Sequence, residues 1–190
     1  MATTENYQQY TEYLQTRSRL GDIYRRYILF PRICKALQGA ALDIGCGIGD
    51  LLAYRPNTTG IDVNPYNVEF CRKRGLIAEP IANGRYPFSE NTFDSAVANH
   101  VIEHLIDPSP LLFEARRVLK PGGIFLIGVP GRRGFSSDPD HKTFYDLEKL
   151  NGVAGNHGFK VTGHFYLPLP LPWLSRAIKQ FSLNLVATKN

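Results

Sequence analysis

The sequence predicts an α/β fold, a mostly parallel sheet with helices on both faces and an antiparallel strand at its C-terminal edge. Three observations predict it. Short apolar runs of strand length alternate with helical stretches through the middle of the chain, the pattern of a parallel sheet covered on both sides. The first of those runs ends in a glycine cluster, Gly45, Gly47 and Gly49, where a sharp turn needs backbone freedom. The last two apolar runs are separated by a short connection, so they can pair antiparallel.

The elements follow in order. Residues 5–17 and 21–38 read as helices, the second with Ile23, Tyr27, Ile28, Ile33 and Leu37 at near-helical spacing. Ala40–Gly45 (AALDIG) is a buried strand, and TTGIDV (58–63) is a second. Asn64 and Pro65 stand where a helix begins, as N-cap and first helical residue, and that helix runs through Arg74. LIAEPIA (76–82) and FDSAVA (93–98) are the third and fourth strands. A helix from Pro110 to Leu119 stops at Lys-Pro-Gly-Gly, and GGIFLIGVP (122–130) is the fifth strand. Tyr145–His157 reads as a helix closed by Gly158, followed by FKVTGHFYL (159–167), a linker and helix over 168–180, and the strand FSLNLVATK (181–189).

The chain has 190 residues, enough for one sizeable core and short for two, so 1–190 is expected to be a single domain. Within it, 1–38 reads as an N-terminal helical lid, 40–130 as a cofactor-binding core and 131–190 as the acceptor side. No apolar run approaches the roughly 20 residues that span a bilayer, and the polar start MATTENYQQYTEYLQTR is no secretory signal. A cytoplasmic protein is therefore expected. Cys34, Cys46 and Cys71 are odd in number and scattered, as reduced thiols are. The formal charge of +5 is spread along the chain, so it permits anionic partners without requiring them.

The chemistry begins where the first strand ends, in Asp43-Ile44-Gly45-Cys46-Gly47-Ile48-Gly49-Asp50. Ligands of open α/β sheets sit at the carboxyl ends of the strands. The dinucleotide fingerprint G-x-G-x-x-G, started at Gly45, requires glycine at position 50, where the chain has Asp50. Acids at 43 and 50 oppose a pyrophosphate and suit a ligand that carries a sulfonium and an ammonium. Asp62 ends the second strand, 17 positions beyond Gly45, where an acid can accept both ribose hydroxyls of an adenosine.

Four motifs in order, LDIGCGIGD, GIDVNP, FDSAVANHVIEHL and LKPGGIFLIGVP, resemble those of the class I S-adenosylmethionine-dependent methyltransferases, of the small-molecule type. The resemblance covers 40–130 closely and the C-terminal strands more loosely. It implies a Rossmann-like, seven-stranded sheet and S-adenosylmethionine as cofactor, with S-adenosylhomocysteine as product. It also implies roles: Asp43 and the loop Gly45, Cys46, Gly47, Gly49 hold the methionine moiety, Asp62 the ribose, and Val63 packs on the adenine. Asn99 lies at the cofactor edge. Where many relatives carry an acid for the adenine amino group, this chain has Ala82-Asn83-Gly84-Arg85, and Asn83 is the candidate substitute.

Methyl transfer to oxygen or nitrogen is the activity these motifs imply. A hydroxyl acceptor needs a base, and histidine titrates in the right range. His141, in the loop after the fifth strand, is the first candidate and His100, after the fourth, the second; Tyr145 follows them. His100-Val101-Ile102-Glu103-His104 also fits H-x-x-E-H, a zinc-hydrolase spacing, yet no later segment nominates a third ligand, and no metal is expected. A hydrogen-bonded Glu103–His104 pair shaping the loop is the plainer reading.

A small-molecule acceptor is preferred to nucleic acid, because Ala98-Asn99-His100-Val101 lacks the Asn/Asp-Pro-Pro-aromatic run of base amino methylation. An RNA methyltransferase and a non-catalytic cofactor-binding regulatory subunit stand as alternatives. Residues 168–181, LPLPLPWLSRAIKQF with its leading Leu167, interleave Trp173, Leu174, Ile178 and Phe181 with Arg176 and Lys179. A pocket wall or dimer contact is the commoner use of such a segment, and peripheral contact with lipid is the other; monomer and homodimer both remain open.

Overall fold

The structure, a computed structural model, describes residues 4–190. Seven strands form one sheet: β1 (Ala41–Ile44), β2 (Thr58–Asp62), β3 (Ala78–Pro80), β4 (Phe93–Asn99), β5 (Leu119–Pro130), β6 (Phe159–Leu167) and β7 (Ser182–Lys189). Their order is β3-β2-β1-β4-β5-β7-β6. β1 to β5 run parallel, and β7 runs antiparallel to both its neighbours. The expected antiparallel pairing is present, with β7 lying one place in from the edge and β6 forming it. The chain reverses its direction of travel across the sheet between β1 and β4, and that crevice is where such folds place ligands.

Period two sorts the strands into two cores. Leu42, Ile44, Ala96, Ala98, Phe125 and Ile127 face one side, against Leu112, Ala115, Val118 and Leu150 from the covering helices. Ala41, Val97 and Leu126 face the other, against Leu29, Phe30, Ile33 and Leu51. Asp43, two residues beyond Ala41, shares that second side, and there the apolar packing gives way to a cavity.

The helices are α1 (Thr4–Gln15), α2 (Arg19–Tyr24), α3 (Phe30–Ala36), α4 (Asp50–Tyr54), α5 (Pro65–Lys73), α6 (Ser109–Val118), α7 (Arg132–Ser136) and α8 (Leu147–Asn156). Between α2 and α3 lies a π-helical turn, Arg25–Leu29, with the Phe30 N–H donating to the Arg25 carbonyl. The expected uninterrupted helix over 21–38 is thus one helical rod with a wide turn. The cause stands at Pro31, which has no N–H and crowds the carbonyl four residues back, and π turns absorb such defects. α4 and α7 have five residues each, too few to show a periodic pattern, and were not expected. α8 starts after Asp146, whose side chain accepts from the Lys149 N–H, two residues later than its apolar pattern suggests. The anticipated helix within 168–180 is a single 3-10 turn, Pro172–Arg176.

Candidate functional site

The loop after β1 is shaped by its glycines. Gly45 and Gly49 have φ of +72° and +80°, the left-handed region that side chains disfavour. A Cβ on Gly45 would lie 2.7 Å from Val101, and one on Gly49 would lie 2.8 Å from the Cys71 sulfur and from Leu76. The loop is pinned from β2. The Gly45 and Cys46 N–H groups donate to the Ile61 carbonyl at 2.8 and 3.0 Å.

Asp62 completes the pinning. Its Oδ2 accepts from the Gly47 N–H at 2.8 Å and the Asn67 amide at 3.2 Å, and its Oδ1 accepts from the Asn64 N–H at 2.8 Å. The carboxylate is 6% exposed, and burial raises its pKa while these hydrogen bonds lower it again. Asp62 is therefore a structural tie as well as the ribose candidate, and the longer Asn67 contact is the one a ribose hydroxyl can most easily replace. The network continues into α1: the Asn64 amide donates to the Tyr7 carbonyl and the Thr11 hydroxyl, and Thr11 donates to Asn67. Helix α1 is thereby tied to the end of β2.

A cavity of about 610 Å³ opens beside this loop, within the range of small-molecule sites. Asp43, Gly45, Cys46 and Gly47 line it from β1, and Asn99 and His100 from the end of β4. Tyr10, Tyr13 and Arg17 of the α1 segment and Gly21 and Tyr24 of α2 roof it. Asp50, predicted to give the loop acidic character, is instead clasped by Arg17 at 2.8 Å and Arg25 at 3.3 Å, so it holds the roof shut. Among the described residues, Asp43 is the cavity carboxyl without an ion-pair partner. Burial and then the neighbouring Asp62 carboxylate raise the Asp43 pKa well above the usual range, and a cationic ligand would reverse that penalty.

Two buried amides point to the same place. Asn99 Oδ1 is buried, lines the cavity and accepts no hydrogen bond among the described residues. Asn184 of β7 is fully buried with its Oδ1 likewise unpartnered. Both lie over Gly128, where a Cβ would come within 2.3 Å of Asn99 Oδ1 and 2.9 Å of Asn184 Oδ1. Sequence reasoning missed Asn184; the signal available was a polar residue inside an otherwise apolar strand. Asp43 and Asn99 line the cavity and Asn184 lies behind them; an ammonium donor suits the first two, so the residues present fit the methionine end of S-adenosylmethionine.

The adenine end is open. Val63 is exposed, and Asn83, at φ +52°, occupies an exposed tight turn closed by the Ala82–Arg85 bridge. Neither lines the cavity, and Asp62 and Gly49 are buried behind the loop without lining it, so the sequence-predicted residues divide into a cavity group, a buried group and a solvent-facing group.

The histidines separate as well. His100 lines the cavity with 39% of its side chain exposed, at φ +58°. This conformation is uncommon outside glycine and clusters at functional sites. Its Nδ1 lies 3.2 Å from Oε1 of Glu103, which is fully buried. His141 is not part of the cavity wall. Its side chain is 8% exposed, Nδ1 meets the Phe135 carbonyl at 2.9 Å, and Nε2 lies 4.0 Å from Glu103 Oε1. His104 packs edge-on to it, ring centroids 4.6 Å apart. The structure thus brings together Glu103, His104 and His141, the third partner that spacing alone did not supply. Their ligand-type atoms lie within 4.8 Å of one another.

Comparison with known proteins bears on this geometry. Residues 42–127, which carry the loop, Asp62 and His100, match the family described as a methyltransferase domain. Over that stretch the chain is a methyltransferase domain of the class I S-adenosylmethionine-dependent kind. A probable S-adenosylmethionine-dependent methyltransferase of Mycolicibacterium smegmatis is 30% identical over 158 residues, 73% of this chain and 59% of that one. The sterol 4-C-methyltransferase strm-1 of Caenorhabditis elegans is 28% identical over 133 residues, 61% of this chain and 39% of its own. Among solved structures, a methyltransferase from Archaeoglobus fulgidus superposes with a TM-score of 0.71 at 21% identity, over 96% of this chain and 99% of that one. That likeness concerns the fold. The chain spans about two fifths to three fifths of the length of the first curated relatives it matches. S-adenosylmethionine is the cofactor of the family, and no helix among the described residues is long and apolar enough to cross a membrane.

Proposed function

We propose that this methyltransferase moves the methyl group of S-adenosylmethionine to an oxygen or nitrogen of a small-molecule acceptor that enters beside His100. Residues 1–38, so far as they are described, serve as the lid of this site, 40–130 as its cofactor-binding core and 131–190 as its acceptor side. When bound, the cofactor supplies a methyl carbon already activated by positive sulfur. Asp43 and Asn99 receive its charged methionine end, Asp62 its ribose and Val63 its adenine face. What remains for the protein is to hold the acceptor in line, exclude water and take a proton.

One observation carries the acceptor reading: His100 stands in the cavity wall with its Nδ1 3.2 Å from a fully buried carboxylate. Both Glu103 oxygens lack a hydrogen-bond partner among the described residues, so the carboxylate is available to the Nδ1 side of the ring and leaves the other nitrogen for an acceptor hydroxyl or amine. A carbon acceptor also has a proton to lose, after the methyl group has arrived, so the identity of the labelled product decides which atom is methylated. His141, sealed from the cavity, supports Glu103 and so acts through it.

The test supplies the protein with radiolabelled cofactor and the small-molecule fraction of its own host cell, alongside nuclease-treated and untreated RNA. Label in a nuclease-resistant small molecule is expected; label in RNA overturns the reading. With the acceptor in hand, His100→Ala should lower turnover about a hundredfold or more and leave S-adenosylhomocysteine affinity unchanged. Unaltered turnover removes His100 from the chemistry.

A further inference from the structure

Three segments meet around the mouth of the cavity, and their composition sets them apart. The rod Arg19–Ala36 and residues 179–180 both line the cavity, joined by the Tyr24 hydroxyl, which donates to the Gln180 carbonyl at 3.0 Å. α7 joins them through Arg133, whose guanidinium donates to the Ala177 carbonyl. Residues 19–36, 131–140 and 168–181 together hold nine of the 22 basic residues and three of the 17 acids. Their net charge is +6, so the remainder of the chain is net −1.

The same segments carry large apolar side chains left exposed among the described residues. Leu20, Ile23 and Tyr27 occupy positions i, i+3 and i+7 of the rod, one stripe, and are 79%, 54% and 69% exposed. Leu169, Leu171 and Trp173 are exposed in the proline-rich segment, Trp173 to 68%. Arg132, Arg133 and Arg176 line a second, shallow hollow beside them, and Arg26 and Lys179 are exposed nearby. A pocket-wall role for Trp173 is not what the structure shows: the indole points to solvent.

We propose that this face docks on an anionic lipid bilayer, presenting the cavity mouth to the membrane surface. Apolar side chains standing among cations are what interfacial binding requires. The former enter the acyl boundary and the latter meet the negative headgroups within a Debye length. A second copy of the chain fits less well, because a self-complementary contact would set this positive face against itself. The proposal does not depend on which atom is methylated.

The protein contains a single tryptophan, Trp173, so its fluorescence reports on the face directly. Full-length protein is mixed with vesicles of phosphatidylcholine alone or with one third phosphatidylglycerol, at low and high salt. The expected result is co-sedimentation and a blue-shifted emission with the anionic vesicles at low salt, quenched by lipids brominated in their acyl chains. Arg132→Glu combined with Arg176→Glu should lower vesicle partitioning at least tenfold, and Tyr27→Ser with Ile23→Ser should abolish the blue shift. S-adenosylhomocysteine binding verifies that each variant is folded. No partitioning by protein that binds S-adenosylhomocysteine overturns the proposal. So does equal binding to neutral vesicles, and so does a blue shift that grows with protein concentration without lipid, which marks a dimer.

Discussion

Asp62→Asn separates the two duties of the β2 carboxylate. The substitution keeps size and shape and replaces one oxygen by an N–H donor. If the amide nitrogen takes the Oδ2 position, the Gly47 N–H and the Asn67 amide both lose their acceptor; if it takes Oδ1, only the Asn64 N–H does. The second orientation is therefore adopted, and one buried donor is left unsatisfied. That costs about 1–3 kcal/mol, which for a domain of this size lowers Tm by roughly 2–12 °C. Because the Gly47 bond survives, the glycine loop keeps its shape. Loss of S-adenosylhomocysteine affinity then measures the ribose contact, about five- to 140-fold for the same energy range. Calorimetric titration and thermal melting of the same sample give both numbers. Weakened binding with an unchanged Tm would show that the pinning argument is wrong, and unchanged values in both would remove Asp62 from ribose recognition as well.

Two further outcomes are expected. Burial raises the Asp43 pKa, and the ammonium of the ligand favours its ionised form, so S-adenosylhomocysteine affinity should rise with pH through the Asp43 titration and be flat in Asp43→Asn. In the ligand-free protein the sign is opposite. The raised carboxyl contributes stability in full below about pH 3.9, and that contribution is lost as pH climbs through its folded value; a wild-type affinity independent of pH contradicts the assignment. Gly49→Ala forces a Cβ to 2.8 Å from Cys71 and Leu76 at a φ of +80°, and the backbone strain alone costs about 1–3 kcal/mol. Urea denaturation should show a lower midpoint, and an unshifted midpoint would mean that the loop relaxes freely.

The parallel half of the sheet was legible because β1, β2, β4 and β5 are apolar runs bounded by Gly, Asn and Pro, and each is buried on both faces. The cofactor loop was legible because its glycines and Asp62 answer to backbone geometry, which sequence spacing records. What escaped lies where contacts are non-local or too short to be periodic. α4 and α7 present barely more than one turn. Asp50 read as a cofactor-side acid because nothing in the local pattern reveals its Arg17 and Arg25 partners, which come from 33 and 25 positions upstream. His141 read as a cavity residue because the loop that carries it folds back on Glu103, 38 positions earlier. The placement of Trp173 in solvent was open in the sequence, where an amphipathic pattern serves a core and a surface equally well.

The position of β7 between β5 and β6 bears on how the protein is made. Both edges of β7 are hydrogen-bonded, and it supplies Leu183, Leu185 and Ala187 to the main core. Until Ser182–Lys189 has left the ribosome, β5 and β6 each present an open edge that can pair with another chain. The parallel strands β1 to β5 can assemble earlier, but the sheet closes only when a late segment threads into a slot held open for it. Such long-range closure is slow, so newly synthesised protein should be most prone to aggregate just before β7 emerges, and a chain truncated ahead of Ser182 should stay in that state.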